Sequence, residues 1–101
     1  MPHKVVFSPE ARDDLLNLYE YLAEQAGMDR ALAYVTRIET YCLGFADFPE
    51  RGIRRDDLVQ GLRVVGFERR VSVAFHIDAE TVTLDRILYG GRNLEALRDE
   101  P

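Results

Sequence analysis

Between Ala11 and Phe45 the apolar residues of this chain return every three or four positions; after Gly61 they return every second one. The first spacing keeps side chains on one face of a helix and the second keeps them on one face of a strand. The change of period therefore predicts two helices followed by a run of strands. The first stripe is Ala11, Leu15, Leu18, Leu22 and Ala26, and Ser8-Pro9-Glu10 stands before it. Ser8 can accept from the free N–H groups of a first turn, Pro9 has its φ already set for a helix start, and Glu10 suits the positive end of the dipole. Gly27 is a left-handed terminator in this reading, and Asp29 can cap a second helix at once, so the pair forms an antiparallel hairpin. Leu32, Val35, Ile38, Cys42 and Phe45 make the second stripe, which Phe48-Pro49 stops because the residue before proline avoids helical backbone.

Strands bracket this hairpin. Lys4-Val5-Val6-Phe7 is a short apolar run ahead of it. Glu50 to Gly61 reads as an ordered surface loop anchored by Ile53 and Leu58, after which Leu62 to Val65 forms a strand and Gly66-Phe67-Glu68 a turn. Val71, Val73, Phe75 and Ile77 then alternate with Arg70, Ser72, Ala74 and His76, and Asp78-Ala79-Glu80 turns the chain again. In the last strand, Thr81 to Tyr89, Val82 and Leu84 share a parity with Arg86 and Leu88, while Ile87 and Tyr89 fall on the other face. Either both faces are covered or a bulge shifts the register near Asp85-Arg86. Gly90-Gly91 ends the strand, and Asn93 can cap a short helix from Leu94 to Arg98. The order β-α-α-β-β-β with a short C-terminal helix predicts one α+β domain over residues 1–101. In it a helical hairpin packs as one layer on a small, largely antiparallel sheet of three or four strands.

Composition narrows the function classes. No apolar run of about 18 residues is present and no leader-like segment follows Met1-Pro2-His3, which predicts a cytoplasmic protein without a membrane partner. One cysteine, Cys42, and two scattered histidines offer no zinc spacing, so neither metal nor cofactor is expected, and Cys42 reads as a small buried hydrophobe. With 18 acids against 13 bases the net charge is −5, which argues against direct nucleic-acid binding by this chain alone. Residues 1–50 hold four bases and nine acids, whereas residues 51–101 hold nine of each, every base there being arginine. Arginine's planar fork suits carboxylates and phosphates.

Taken in order, Phe7-Ser8-Pro9-Glu10-Ala11, Asp14-Leu15, Tyr21-Leu22, Ala31, Tyr34-Val35, Ile38, Phe48-Pro49-Glu50-Arg51-Gly52, Gly61-Leu62-Arg63 and Arg86-Ile87-Leu88-Tyr89-Gly90-Gly91-Arg92-Asn93 carry a resemblance. From Val5 to about Leu97 the chain resembles the ParE branch of the RelE/ParE superfamily of bacterial toxins. The resemblance implies the toxic half of a type II toxin–antitoxin system, held in a hetero-oligomer by a cognate antitoxin, ParD-like or another DNA-binding antitoxin. ParE-like members inhibit DNA gyrase, and RelE-like members cut messenger RNA on the ribosome. A non-enzymatic gyrase inhibitor is the expectation; the alternatives are a ribosome-dependent endoribonuclease or a non-toxic orphan interaction module on the same fold.

Each alternative selects residues. Cutting RNA needs cations for the pentavalent phosphate and groups to move protons. Arg63, Arg70 and Arg86 could supply the first, and Tyr89, His76 or Glu68 the second. RNA-cutting relatives are basic and place a catalytic His, Tyr or Lys near the C-terminus. Here lysine is almost absent, and Tyr89 stands in a ParE-like ending where His is common, so no catalytic residue is expected. For antitoxin binding, Leu16, Tyr19, Tyr21, Ala23, Tyr34 and Tyr41 fall wholly or partly outside the core stripes, and tyrosine-rich surfaces suit interfaces. An amphipathic antitoxin helix across the hairpin would cover them. Arg86, Tyr89, Arg92, Asn93 and Arg98 form the candidate target-binding surface, their forks meeting carboxylates. For Arg86 a structural ion pair, with neighbours of Asp85 or with the hairpin, is an equal alternative.

Overall fold

The computed structural model describes residues 2–90 and 94–97. Strand β1 (Lys4–Phe7) leads into helix α1 (Pro9–Ala26), Gly27 joins it to α2 (Met28–Leu43), and a 3-10 turn, Gly44–Ala46, closes the hairpin. Strands β2 (Ile53–Arg54), β3 (Arg63–Phe67), β4 (Val71–Ile77) and β5 (Thr81–Tyr89) follow, then a 3-10 turn, Leu94–Leu97. All five strands form one sheet in the order β1-β5-β4-β3-β2. β1 runs parallel to β5 and every other pairing is antiparallel. The α+β architecture is as expected, with a wider sheet.

The helix start follows the local chemistry read from the sequence. Ser8 Oγ accepts from the Ala11 N–H at 3.0 Å, and Pro9 occupies the first turn. Ala11, Leu15 and Leu18 are buried, Leu22 is half-buried, and Ala26 is exposed. Gly27 differs from expectation: at φ 95° and ψ 159° it is extended on the positive side, not left-handed helical, and it serves both helices, so that Asp29 lies inside α2's first turn and not at its cap. Val35, Ile38, Cys42 and Phe45 are buried as expected, and only the first position of the α2 stripe differs. Ala31 faces the core, and Leu32, expected there, is 59% exposed. Alanine's small side chain suits the close approach of the helices near their junction.

The connection after Pro49 contains a strand that its composition does not announce. β2 is two residues long, pairing Ile53 with Val64 and Arg54 with Arg63 at the sheet edge. Ile53 is therefore not an anchor: it stands 72% exposed, while Leu58 is buried as expected. The turn expected at Gly66-Phe67-Glu68 falls later, because Gly66 stays inside β3 opposite Ser72 and Phe67 pairs with Val71. Glu68 and Arg69 turn the chain at φ 49° and 63°, with the Arg70 N–H donating to the Phe67 carbonyl at 3.2 Å. Positive φ at both central residues matches the twist of a hairpin.

Both readings left open for the last strand hold together. Ala74 pairs with Arg86 and Phe75 with Leu84, so Asp85 is an extra residue on β5 and the ladder bulges there. Each face is also covered. The helices bury Val71, Val73, Phe75, Val82, Leu84 and Ile87 on one side. On the other, Leu58 and Leu62 close over Ala74 with Val59, Val64, Leu94 and Leu97 around them, so Ala74 is fully buried where alternation alone placed it among polar residues. The terminal segment is a 3-10 turn and not an α-helix over Leu94–Leu97; Asn93 and Arg98 lie outside the described residues.

Candidate functional site

β1 stops opposite Leu84, whereas β5 continues to Tyr89. Along that uncovered edge α1 takes over the work of a strand. The Ser8 N–H donates to the Leu84 carbonyl at 2.9 Å, its hydroxyl donates to the Asp85 carbonyl at 2.9 Å, and the Ile87 N–H donates to Asp14 Oδ2 at 2.8 Å. The same buried carboxylate receives Arg86 Nε at 2.8 Å and Nη2 at 3.0 Å. This forked bond holds the Arg86 guanidinium above its ordinary pKa. Of the two roles open for Arg86, the geometry displays the ion pair with the hairpin.

The second feature is a chain of rings. Tyr21 lies 6.2 Å from Tyr89, Tyr89 6.1 Å from Tyr34, Tyr34 6.4 Å from Phe67, Phe67 4.9 Å from Tyr41, Tyr41 5.3 Å from Phe45 and Phe45 4.8 Å from Phe75. These tilted and edge-on contacts span the space between α2 and the sheet. α1 runs close against β5, whereas the backbone of α2 approaches α1 and the 3-10 turn more closely than any strand, so rings fill the gap. Arg37 stacks over Tyr34 at 4.9 Å and Arg51 over Phe45 at 4.6 Å. The Tyr34 hydroxyl is buried without a hydrogen-bond partner, and burial pushes its pKa up.

Two hollows open on either side of Tyr89. One, of about 340 Å³, runs between α1 and the free edge of β5 and is lined by Asp14, Asn17, Leu18, Tyr21, Ile87, Tyr89 and Gly90. The other, of about 240 Å³, lies between the hairpin and the β3–β4 turn against Leu22, Ala26, Arg30, Ala31, Tyr34, Arg70 and Tyr89. Of the residues expected at an antitoxin interface, Leu16 and Tyr21 are exposed, Tyr21 by 52%. Tyr19, Ala23, Tyr34 and Tyr41 are half-buried, and Tyr34 and Tyr41 are links in the ring chain. Of the expected target-binding set, Arg86 and Tyr89 are placed as above, and Arg92, Asn93 and Arg98 lie outside the described residues.

The groups a ribonuclease would need are divided among separate hollows. His76 and Arg86 line a cleft of about 630 Å³ on the sheet face opposite the helices, with Glu10 and Asp85. There His76 Nδ1 sits 2.8 Å from Asp85 Oδ2, and its Nε2 lies 3.7 Å from Asp78. Burial raises the Asp85 pKa against the opposing pull of His76. Arg70 and Tyr89 belong to the hollow under the hairpin. Arg63 borders a third hollow and donates to the Arg51 carbonyl at 3.2 Å, while Glu68 is held by Arg37 through bonds of 3.0 and 2.8 Å. Cys42 is fully buried, with its thiol pushed up to about 12 by desolvation. Among the described residues no group of three His, Cys, Asp or Glu side chains could hold a metal ion.

The family model of the ParE toxin of type II toxin–antitoxin systems, parDE, matches residues 5–94. The chain belongs to the ParE toxin family. A curated ParE relative, Toxin ParE3 of Caulobacter vibrioides, is 31% identical over 93 residues, which are 92% of each chain. The fold is shared with a structure of the chromosomal ParDE toxin–antitoxin system from P. aeruginosa, at TM-score 0.77 and 22% identity over 87% of this chain and 96% of that one. It is also shared, at TM-score 0.63 and 18% identity over 88% and 99%, with the RelBE2 toxin–antitoxin complex from Mycobacterium tuberculosis. Among the described residues the buried charged side chain that periodicity passed over is Asp14, which sits three positions after Ala11 and four before Leu18 on the core face, where a carboxylate needs a partner.

Proposed function

We propose that this ParE-family toxin acts by binding, that its target is DNA gyrase, and that a cognate antitoxin silences it by covering the Tyr21–Tyr89 face in the cytoplasm. The observation that carries this reading is the division of the cationic and proton-transfer groups among three hollows, with Arg86 committed to Asp14 and Glu68 to Arg37. A phosphoryl-transfer site needs those groups converging on one phosphate. The face that remains available combines exposed Tyr21 with two largely apolar hollows beside Tyr89, the composition of a protein-binding surface. No helix among the described residues is long and apolar enough to cross a membrane.

The ribonuclease reading keeps one specific observation in its favour, the His76–Asp85 hydrogen bond inside the cleft of about 630 Å³. That cleft is also bordered by Glu10, and Asp78 stands beside the His76 ring, a concentration of acid that repels an RNA phosphate. A supercoiling assay with purified toxin and gyrase, run beside primer extension on translated messages, separates the two. Inhibited supercoiling with intact messages is expected. Messages cut at the ribosome with gyrase unaffected would reverse the assignment.

A further inference from the structure

The protein carries an excess of acid, yet one end of it is short of counter-ions. Among the described residues Arg37, Arg54, Arg55 and Arg86 are ion-paired, Arg51 and Arg63 donate to backbone carbonyls, and Arg12 lies over the Phe7 ring. Arg30, Arg69 and Arg70 make no contact of these kinds. Arg30 and Arg70 border the same hollow of about 240 Å³, and Arg69 precedes Arg70 in the β3–β4 turn. The floor of that hollow is apolar, from Leu22, Ala31 and the rings of Tyr34 and Tyr89. Guanidinium groups beside such a floor attract an anion more strongly than they do in open water. Tyr34 also borders the hollow, and its hydroxyl is buried without a hydrogen-bond partner.

We propose that this hollow seats a carboxylate carried next to an apolar side chain on an acidic amphipathic segment of the antitoxin. The proposal rests on the antitoxin reading above. The apolar side chain fills the floor and the carboxylate meets the forks of Arg30 and Arg70.

The test uses the purified chain and a candidate ParD-like antitoxin, titrated by calorimetry at low salt and at about 0.15 M salt. Arg30→Glu and Arg70→Glu are each expected to weaken binding by about tenfold or more at low salt, with a smaller loss at the higher salt. Arg54→Glu, at the far sheet edge, is expected to leave affinity within about twofold. A charge-reversed acidic residue in the antitoxin should restore binding to Arg70→Glu. Unchanged affinity in both hollow variants, with circular dichroism showing them folded and the unmodified pair still binding, overturns the carboxylate seat. A chain that binds no antitoxin in any form overturns the antitoxin reading itself, and the seat with it.

Discussion

Asp14 and Arg86 meet 72 residues apart in sequence, and the pair does more than join a helix to a strand: the carboxylate that receives the Arg86 fork also stands in for a strand carbonyl opposite the Ile87 N–H. Removing Asp14 leaves a half-buried guanidinium and a backbone donor unmet together. Asp14→Ala is expected to lower unfolding free energy by about 2–3 kcal/mol in urea titrations. The double variant Asp14→Leu/Arg86→Met should recover part of that loss, because two removed charges cost less than one orphaned charge. A loss below about 0.5 kcal/mol for Asp14→Ala would mean that water serves the edge equally well.

Tyr34 carries the opposite expectation. Its ring is packed against Phe67 and Tyr89, but its hydroxyl is buried without an acceptor. Tyr34→Phe keeps the ring and removes the unmet donor, so the isolated chain should gain about 1 kcal/mol, read as a higher urea midpoint. A destabilised phenylalanine variant would reveal a partner for the hydroxyl in solution.

Exposed and half-buried tyrosines separate binding from folding. Tyr21→Ala should cost more than about 1 kcal/mol of antitoxin affinity while changing chain stability by less than about 1 kcal/mol. Tyr41→Ala breaks contacts with Phe45 and Phe67 and should cost about 3 kcal/mol of stability, so its effect on binding cannot be read alone. Paired calorimetry and thermal melts distinguish the two; equal stability losses would contradict the division.

The carboxylates respond to pH in opposite senses. Burial raises Asp85 above its ordinary 3.8, so the folded state holds that proton more tightly than the unfolded chain. Its contribution is complete below the ordinary value and is lost as pH rises through the raised one. Asp85→Asn, which cannot ionise, should therefore gain relative to the parent in urea midpoints as pH rises above the ordinary Asp value of 3.8. Glu68 is held below its ordinary 4.5 by Arg37, so its small, solvent-screened contribution is present above that value and fades as pH falls through the lowered one. A pH-independent difference between parent and Asp85→Asn would place the Asp85 carboxylate in water.

Cys42 should be inert in the folded chain. With the thiol buried and raised to about 12, thiolate is scarce at pH 8, and an aromatic disulfide reagent is expected to label it only through unfolding. The labelling rate should rise steeply with urea. Complete reaction within seconds in native buffer would contradict the burial.

Periodicity made most of the fold legible, because amphipathic spacing reports which face meets the core whatever the partner. The bulge at Asp85 was visible in advance as a clash of parity between Leu84 and Ile87. β2 was hidden because two residues cannot establish a period, and because its approach to β3 depends on Gly52: at φ 75° a Cβ there would run into the Val64 carbonyl oxygen. Gly66 drew the turn two residues early, since glycine suits turns, yet the register that pairs Phe67 with Val71 favoured the Glu68–Arg69 corner. At the candidate face, the tyrosines were recognisable by type and helical position. Their linkage into one chain was not, because it runs through Phe67 and Tyr89, which other elements supply.

The strand order has a consequence for when this protein exists at all. β1 is made first, but its neighbour is β5, with Lys4 beside Thr81 and Ser8 bonded to Asp85 across 77 residues. Nothing synthesised before β5 can complete the sheet or give Asp14 its partner. Folding of the sheet must wait for β5, a high-contact-order closure of the kind that is slow. A ribosome making this chain thus carries an unfinished domain until β5 has been made, and toxicity, under the function proposed here, begins only after that strand has emerged.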